Sequence, residues 1–197
     1  MTLKTDLIKE ISSEKMVHFG RFPFEADGTV TPIEWRVLYP DPVKVLLISE
    51  YGIDARPYHD EYTESGWNSC TLRKWLNGEF LETSFDDEER ALVLTRHNEN
   101  NVGSATDDKA FLLSVDEVQR YFKENSDRQC RPSPYALKQG AFESGGYGWW
   151  WLRPISSNSL WCADGVCSSG CIDDDYFADA DVNDILVRPA LLLSLEC

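Results

Sequence analysis

Two short apolar runs, "GWWWLRP" at 148–154 and "ILVRPALLLSLE" at 185–196, constrain the fold more than any other feature of this chain. Both are aromatic or branched and too short and too continuous for an amphipathic helix, which predicts buried strands. Pro189, inside the second run, has no amide hydrogen to give a ladder, so it predicts an edge position or a bulge near the start of that strand. Between the runs lies a polar segment, 155–186, rich in Asp, Ser and Cys. A sheet that contains both runs holds both ends of that segment. The expectation is a long, irregular loop on a rigid scaffold, the usual setting for a binding surface.

The rest of the chain reads as alternating short elements. Leu3, Leu7, Ile8 and Ile11 have helical spacing, which predicts a helix over 3–14. In "VHFGRFPFEADGTVTPIEWRVL" Asp27-Gly28 marks a turn, and Ile33, Trp35 and Val37 alternate as in a strand. "VKVLLIS" follows the "YPDP" turn and should pair with that strand as a hairpin. "SCTLRKWLNGEF" places Leu72, Trp75 and Leu76 on one helical face and carries a stop signal at Asn77-Gly78. "SFDDEERALVL" predicts a helix capped by Ser84, with acidic residues suited to the dipole of its first turn. "AFLLS" reads as a buried strand, followed by a helix in which Ser114 and Glu117 have capping-box spacing. Residues 129–148, rich in Pro, Gly and Ser, should be irregular. With no internal repeat, 1–197 is expected to be one α+β domain, helices early and antiparallel sheet late.

Charge narrows the partners. Thirty-four acidic residues against 19 basic give a formal charge of −15. A polyanion would be repelled, which argues against nucleic acid and anionic membranes. No apolar run approaches the ~20 residues of a membrane span, and "MTLKTDLIKEISSEK" lacks the apolar centre of a signal peptide. The default expectation is an intracellular chain with reduced thiols at Cys70, Cys130, Cys162, Cys167, Cys171 and Cys197; display on a cell surface or phage particle is the alternative.

The segment 155–186 has a peculiar vocabulary. Lys, Glu, Gln, Met and Trp fill 34 of the first 154 positions, a rate at which its 32 residues would hold about seven; they hold one, Trp161. Loop preference explains the Asp, Ser and Gly but not the missing Lys and Glu, nor the Cys, Phe, Ile and Leu that are present. The five missing types share a property of the genetic code: none is written by a codon ending in a pyrimidine.

The runs "FGRFPFEADGTVTPIEWRVL", "LLISEYGIDARPYH", "SGWNSCTLRKWLNGEF", "KAFLLSVDEVQRYF", "WWWLRP" and "VRPALLLSL" together resemble an uncharacterised bacterial domain family with a C-type-lectin-like fold, over nearly the whole chain from about Val17 to Leu195. That family and relatives of the same fold include the variable proteins of diversity-generating retroelements, in which a reverse transcriptase miscopies template adenines and turns AAY codons into other pyrimidine-ending codons. The resemblance implies that Trp150-Trp151-Leu152-Arg153 precedes the variable region and Val187-Arg188-Pro189-Ala190-Leu191 closes it. It implies a non-catalytic protein that binds an unidentified protein or glycan, with no cofactor. The ligand contacts are then expected at Ser156, Ser157, Asn158, Leu160, Cys162, Asp164, Cys167, Ser168, Cys171, Asp173, Asp174, Tyr176, Phe177, Asp179, Asp181, Asn183 and Asp184. Tyr176 and Phe177 are the expected anchors, because aromatic rings combine contact area with low entropy loss.

Other chemistries are weaker. The formylglycine-generating enzymes share the fold and bind copper through two cysteines five positions apart, the spacing of Cys162 and Cys167, but "LRPISSNSLW" departs from their Arg-Gly-Gly-Ser-type stretch. Zinc at Cys162, Cys167 and Cys171 lacks the C-x2-C pair and a nearby His. Calcium at Asp173, Asp174, Asp175, Asp179, Asp181 and Asp184 lacks the central Gly and terminal Glu of a calcium loop, so a solvated acidic loop is the simpler reading. His18, His59 and His97 are scattered, and "ESGGYG" lacks the Lys-Ser/Thr of a phosphate loop and reads as a turn. A structural domain whose loop contacts its own oligomer is the remaining class.

Overall fold

The computed structural model describes residues 3–13, 16–156 and 159–196, with the side chains of residues 3, 4, 6, 12, 13 and 174–178 left aside. Helix α1 (Leu3–Ser13) leads into strands β1 (Met16–Pro23), β2 (Val30–Pro40), β3 (Lys44–Ser49) and β4 (Asp54–Ala55). A helical stretch follows: α2 (Thr71–Trp75), a π-helical turn (Leu76–Phe80), α3 (Leu81–Ser84) and α4 (Asp87–Leu92). Next come β5 (Arg96–Asn98), β6 (Thr106–Asp108), β7 (Ala110–Phe111), α5 (Val115–Tyr121), α6 (Asn125–Arg128) and α7 (Pro134–Lys138). The chain finishes with β8 (Trp150–Ile155), β9 (Cys162–Val166), β10 (Ile172–Asp179), β11 (Leu186–Val187) and β12 (Ala190–Ser194).

These form two five-stranded sheets, ordered β1-β2-β3-β12-β7 and β10-β9-β8-β11-β4, with β5 and β6 paired separately. Mixed α+β architecture with mainly antiparallel pairing is as expected. The β2–β3 hairpin forms with Val37 opposite Leu47. Strands are not confined to the late half, however, because β12 lies between β3 and β7. Pro189 marks neither an edge nor a bulge: it stands where the chain leaves β11 in one sheet and enters β12 in the other. Its missing amide costs no ladder bond there, while its carbonyl accepts from Ser49 N (2.9 Å).

Trp35, Leu47, Phe80, Phe111, Trp150, Trp151 and Leu191 are fully buried in one core to which both sheets contribute. The large rings bring polar nitrogens with them, and each finds an acceptor as burial demands. Trp35 Nε1 donates to Phe19 O (2.7 Å), Trp150 Nε1 to Arg128 O (3.0 Å), and Trp151 Nε1 to Arg56 O (2.8 Å). In β1, a bulge between His18 and Arg21 contains Gly20 at φ 67°, where an added Cβ would stand 2.2 Å from the Phe85 ring; only glycine lets this strand approach that closely.

Three local expectations are corrected. The helix does not stop at Asn77-Gly78. The Asn77 side chain accepts from Lys109 N (2.8 Å) and donates to Ala110 O (2.8 Å), tying a π-helical turn to β7 instead of ending it. The cap of α4 is Asp86, in a reciprocal box with Glu89, and Ser84 ends the preceding helix. Within 129–148, Ser133 caps α7 with Pro134 in its first turn, so this stretch is not wholly irregular. The Ser114–Glu117 box forms as its spacing predicts. Among the described residues no helix is long and apolar enough to cross a membrane.

Candidate functional site

The segment 155–186 is anchored at both ends, since Leu186 of β11 pairs in parallel with Trp150 of β8. Between these anchors it is not an irregular loop. It forms the β9–β10 hairpin, and β9 lies between β8 and β10. Cys162, Ala163, Asp164, Gly165 and Val166 are all buried, because an inner strand of small residues is covered by neighbours on both edges. The ladders are interrupted on both sides of Asp164, between Trp151 and Ile155 on β8 and between Asp173 and Ala178 on β10.

Burial divides the expected contact set. Ser156 and Cys162 are buried, with Cys162 Sγ donating to Asp179 Oδ1 (3.3 Å), and Asp164 is buried at the wall of a polar cleft. Leu160, Cys171, Asp173, Asp181 and Asn183 are exposed, and Cys167, Ser168, Asp179 and Asp184 are half-buried. Ser157 and Asn158 lie outside the described residues, as do the side chains of Asp174, Tyr176 and Phe177 on β10.

A loop from elsewhere completes the surface. His59 N donates to Ala180 O (2.9 Å) and Ser65 N to Leu160 O (3.4 Å), so 59–65 bridges both ends of the hairpin. It places Tyr62, 54% exposed, against Trp161 with ring centroids 4.7 Å apart. Asp179 first, then burial, and further Asp181 push the Tyr62 hydroxyl above its ordinary pKa, as expected for a phenol among carboxylates. Sequence reasoning missed Tyr62. The available signal was a tyrosine in the polar run "HDEYTESG", but nothing local pairs it with a residue almost a hundred positions away.

Beside this surface lies an open polar cleft of about 470 Å³, lined in part by Glu99, Asn100, Asn101, Asp116, Arg153 and Asp164. Its walls are braced. Asn101 grips the end of β8 by donating to Ile155 O and accepting from Ile155 N. Arg153 Nη1 donates to Asn98 Oδ1 (2.6 Å) and stands 3.7 Å from Glu117 Oε2. Asn98 in turn donates to Asp108 Oδ2 (3.0 Å), a buried carboxylate that also receives Trp67 Nε1 (2.9 Å), Thr106 Oγ1 (2.7 Å) and Arg73 Nε (2.6 Å). Burial pushes the Arg153 pKa down from its ordinary value, with Glu117 opposing. The cleft therefore offers fixed amide, carboxylate and guanidinium groups to a polar ligand.

Three observations bear on catalysis and metals. His59 Nδ1 accepts from Thr71 N (3.2 Å), His97 pairs with Asp107 (2.8 Å), and His18 lies beside Glu10 and Glu34, so each histidine has a structural neighbour. Cys162 opens β9 and Cys167 follows its last residue. They stand at opposite ends of that strand, about 16 Å apart at the ordinary rise of an extended chain, so the arrangement gives the copper reading no support. Among the described residues no group of three or more His, Cys, Asp or Glu is placed to hold a metal.

A family model described as a domain of unknown function, DUF6273, matches residues 43–195, which is 153 of the 197 residues. No curated protein and no solved structure matches the chain.

Proposed function

The chain belongs to the family described as a domain of unknown function, DUF6273, and for this member we propose a non-catalytic ligand-binding role, with a C-type-lectin-like scaffold displaying 155–186 as the diversified surface of a retroelement target protein. The observation that carries the reading is a polar segment of restricted vocabulary held at both ends by strands. Residues 155–186 lie within the run 152–195, where Trp161 is the one Lys, Glu, Gln, Met or Trp, and they are held by β8 on one side and by β11, which pairs back onto β8, on the other. A scaffold that holds both ends of a segment can tolerate change between them.

Within that segment the binding surface is narrower than its vocabulary. Leu160, Asp173, Asp181 and Asn183 reach solvent; Leu160 adjoins Trp161 of the Tyr62–Trp161 pair, and Asp181 acts on the Tyr62 hydroxyl. Tilted, partly exposed rings flanked by carboxylates suit a partner with an apolar anchor and a basic or polyhydroxyl rim. The partner is a protein or a glycan of that chemistry.

Tolerance tests the reading. A library randomised with pyrimidine-ending codons at 160, 173, 181 and 183 should leave most members folded, with stability changes within about 0.5 kcal/mol, as for unconstrained surface positions. The same randomisation at 150–152 should abolish folding in most members. If both libraries unfold alike, the exposed positions are structural and the proposal fails.

A further inference from the structure

The turn joining β9 to β10 brings two thiols together on a braced platform. Cys167 N donates to Cys171 O (2.9 Å), and Gly170 N donates to Cys167 O (2.8 Å), with Gly170 at φ 84°. This is a three-residue hairpin turn closed by a left-handed glycine. Cys167 and Cys171 face each other across it. Opposed antiparallel residues have Cα atoms about 5.5 Å apart, inside the roughly 4.4–6.8 Å that a disulfide spans. The Ser169 hydroxyl lies between the sulfurs, 3.0 Å from Cys167 Sγ and 3.5 Å from Cys171 Sγ, and its one proton serves whichever sulfur is the thiolate. Residues from α6 and just beyond fix the turn. Arg128 Nε donates to Gly170 O (2.8 Å), Gln129 Nε2 to Ser168 O (3.0 Å), and Asn125 Nδ2 to Cys171 Sγ (3.6 Å).

Accessibility separates this pair from the other described cysteines. Cys167 is half-buried and Cys171 exposed, whereas Cys70, Cys130 and Cys162 are buried. Burial pushes the Cys70 thiol up to about 12 and raises Cys130 as well, so neither supplies thiolate at neutral pH.

We propose that Cys167 and Cys171 form a dithiol–disulfide site that takes a low-molecular-weight disulfide as its oxidant and staples the turn of the β9–β10 hairpin when closed. Cys167 is the attacking residue. Burial would raise its pKa, but hydrogen bonds from the Ser169 side chain and amide and from Cys171 outweigh it and hold the thiol below its ordinary value. Its thiolate attacks one sulfur of oxidised glutathione, the glutathione S–S bond breaks, and one glutathione leaves as thiolate and is protonated by solvent. Cys171 then loses its proton to solvent and attacks the Cys167 sulfur, expelling the second glutathione. Two protein thiols are oxidised and one small disulfide is reduced to two thiols, so electrons and protons balance. The site lies inside the segment proposed as a ligand surface, but the observations that carry it make no use of that reading.

The test uses the full chain carrying Cys197→Ser, equilibrated in graded mixtures of reduced and oxidised glutathione, alkylated, digested and weighed. The expected product is an intramolecular Cys167–Cys171 disulfide, with Cys70, Cys130 and Cys162 alkylated only after denaturation. Adding Cys171→Ser should stop the reaction at a glutathione adduct on Cys167, and Ser169→Ala should slow that first step several-fold at neutral pH. The proposal is overturned if both thiols stay free across the series, if either pairs with Cys162 or a second chain, or if glutathione is trapped on Cys171 first.

Discussion

Arg188 is the residue at which the two sheets impose the hardest demand. It is fully buried beside the crossing at Pro189, with its guanidinium 5.0 Å from the Trp150 ring and 5.5 Å from that of Phe122. Nε donates to Ser49 O (2.9 Å), while Nη1 and Nη2 have no hydrogen-bond partner among the described residues. The rings offset part of the desolvation of the charge, and burial lowers the Arg188 pKa. Replacing the side chain by one of similar length without charge should therefore change stability little. Arg188→Met is expected to lie within about 1 kcal/mol of the parent, since removing a poorly paired buried charge is often neutral. Arg188→Ala, which also empties the space between the rings, should lose about 2–4 kcal/mol. Urea unfolding of both variants decides, and equal losses would mean that the guanidinium is satisfied by a group that Met cannot replace. Sequence could not foresee this site: an Arg between Val187 and Pro189 reads as exposed until the rings that enclose it are known.

At the scale of elements, legibility followed periodicity. The β2–β3 hairpin was readable because Ile33 and Trp35 face the core in alternation, and α5 because its box lies within four residues. The β9–β10 hairpin was not. Its inner strand, "CADGV", has no two-residue alternation, because both faces are buried, and its partners are chosen by β8 rather than by local propensity. The turn has one readable feature, the "SSG" ending. Gly170 combines a left-handed backbone with a close approach: an added Cβ would stand 1.9 Å from Asn125 O. Gly170→Ala should destabilise the protein by roughly 2 kcal/mol or more, from backbone strain and displacement of α6 together. The check is denaturant unfolding alongside Gly140→Ala, also at positive φ but with open space around the new Cβ. Equal losses would show that contact with α6 contributes nothing.

For the whole molecule, the arrangement joins distant parts of the chain twice. β12 completes the first sheet between β3 and β7, and β11 closes the second against β8, so the last residues lock both sheets around the segment that varies in vocabulary. The 59–65 loop and the 99–104 loop then reach that segment from outside it, supplying Tyr62 and the Asn101 grip. The net charge of −15 over the whole chain adds repulsion toward polyanions. The central claim is that the exposed positions of 155–186 are replaceable on this frame, whose inner strand β9 is not. Reading the gene at codons 155–186, together with its flanking DNA, tests it most directly. The account predicts pyrimidine-ending codons at positions such as Leu160, Ser168 and Ser169, whose residues either kind of codon can write, and a nearby near-copy that differs only where the copy has adenine, beside a reverse-transcriptase gene. Purine-ending codons at those positions, with no such copy, would contradict it.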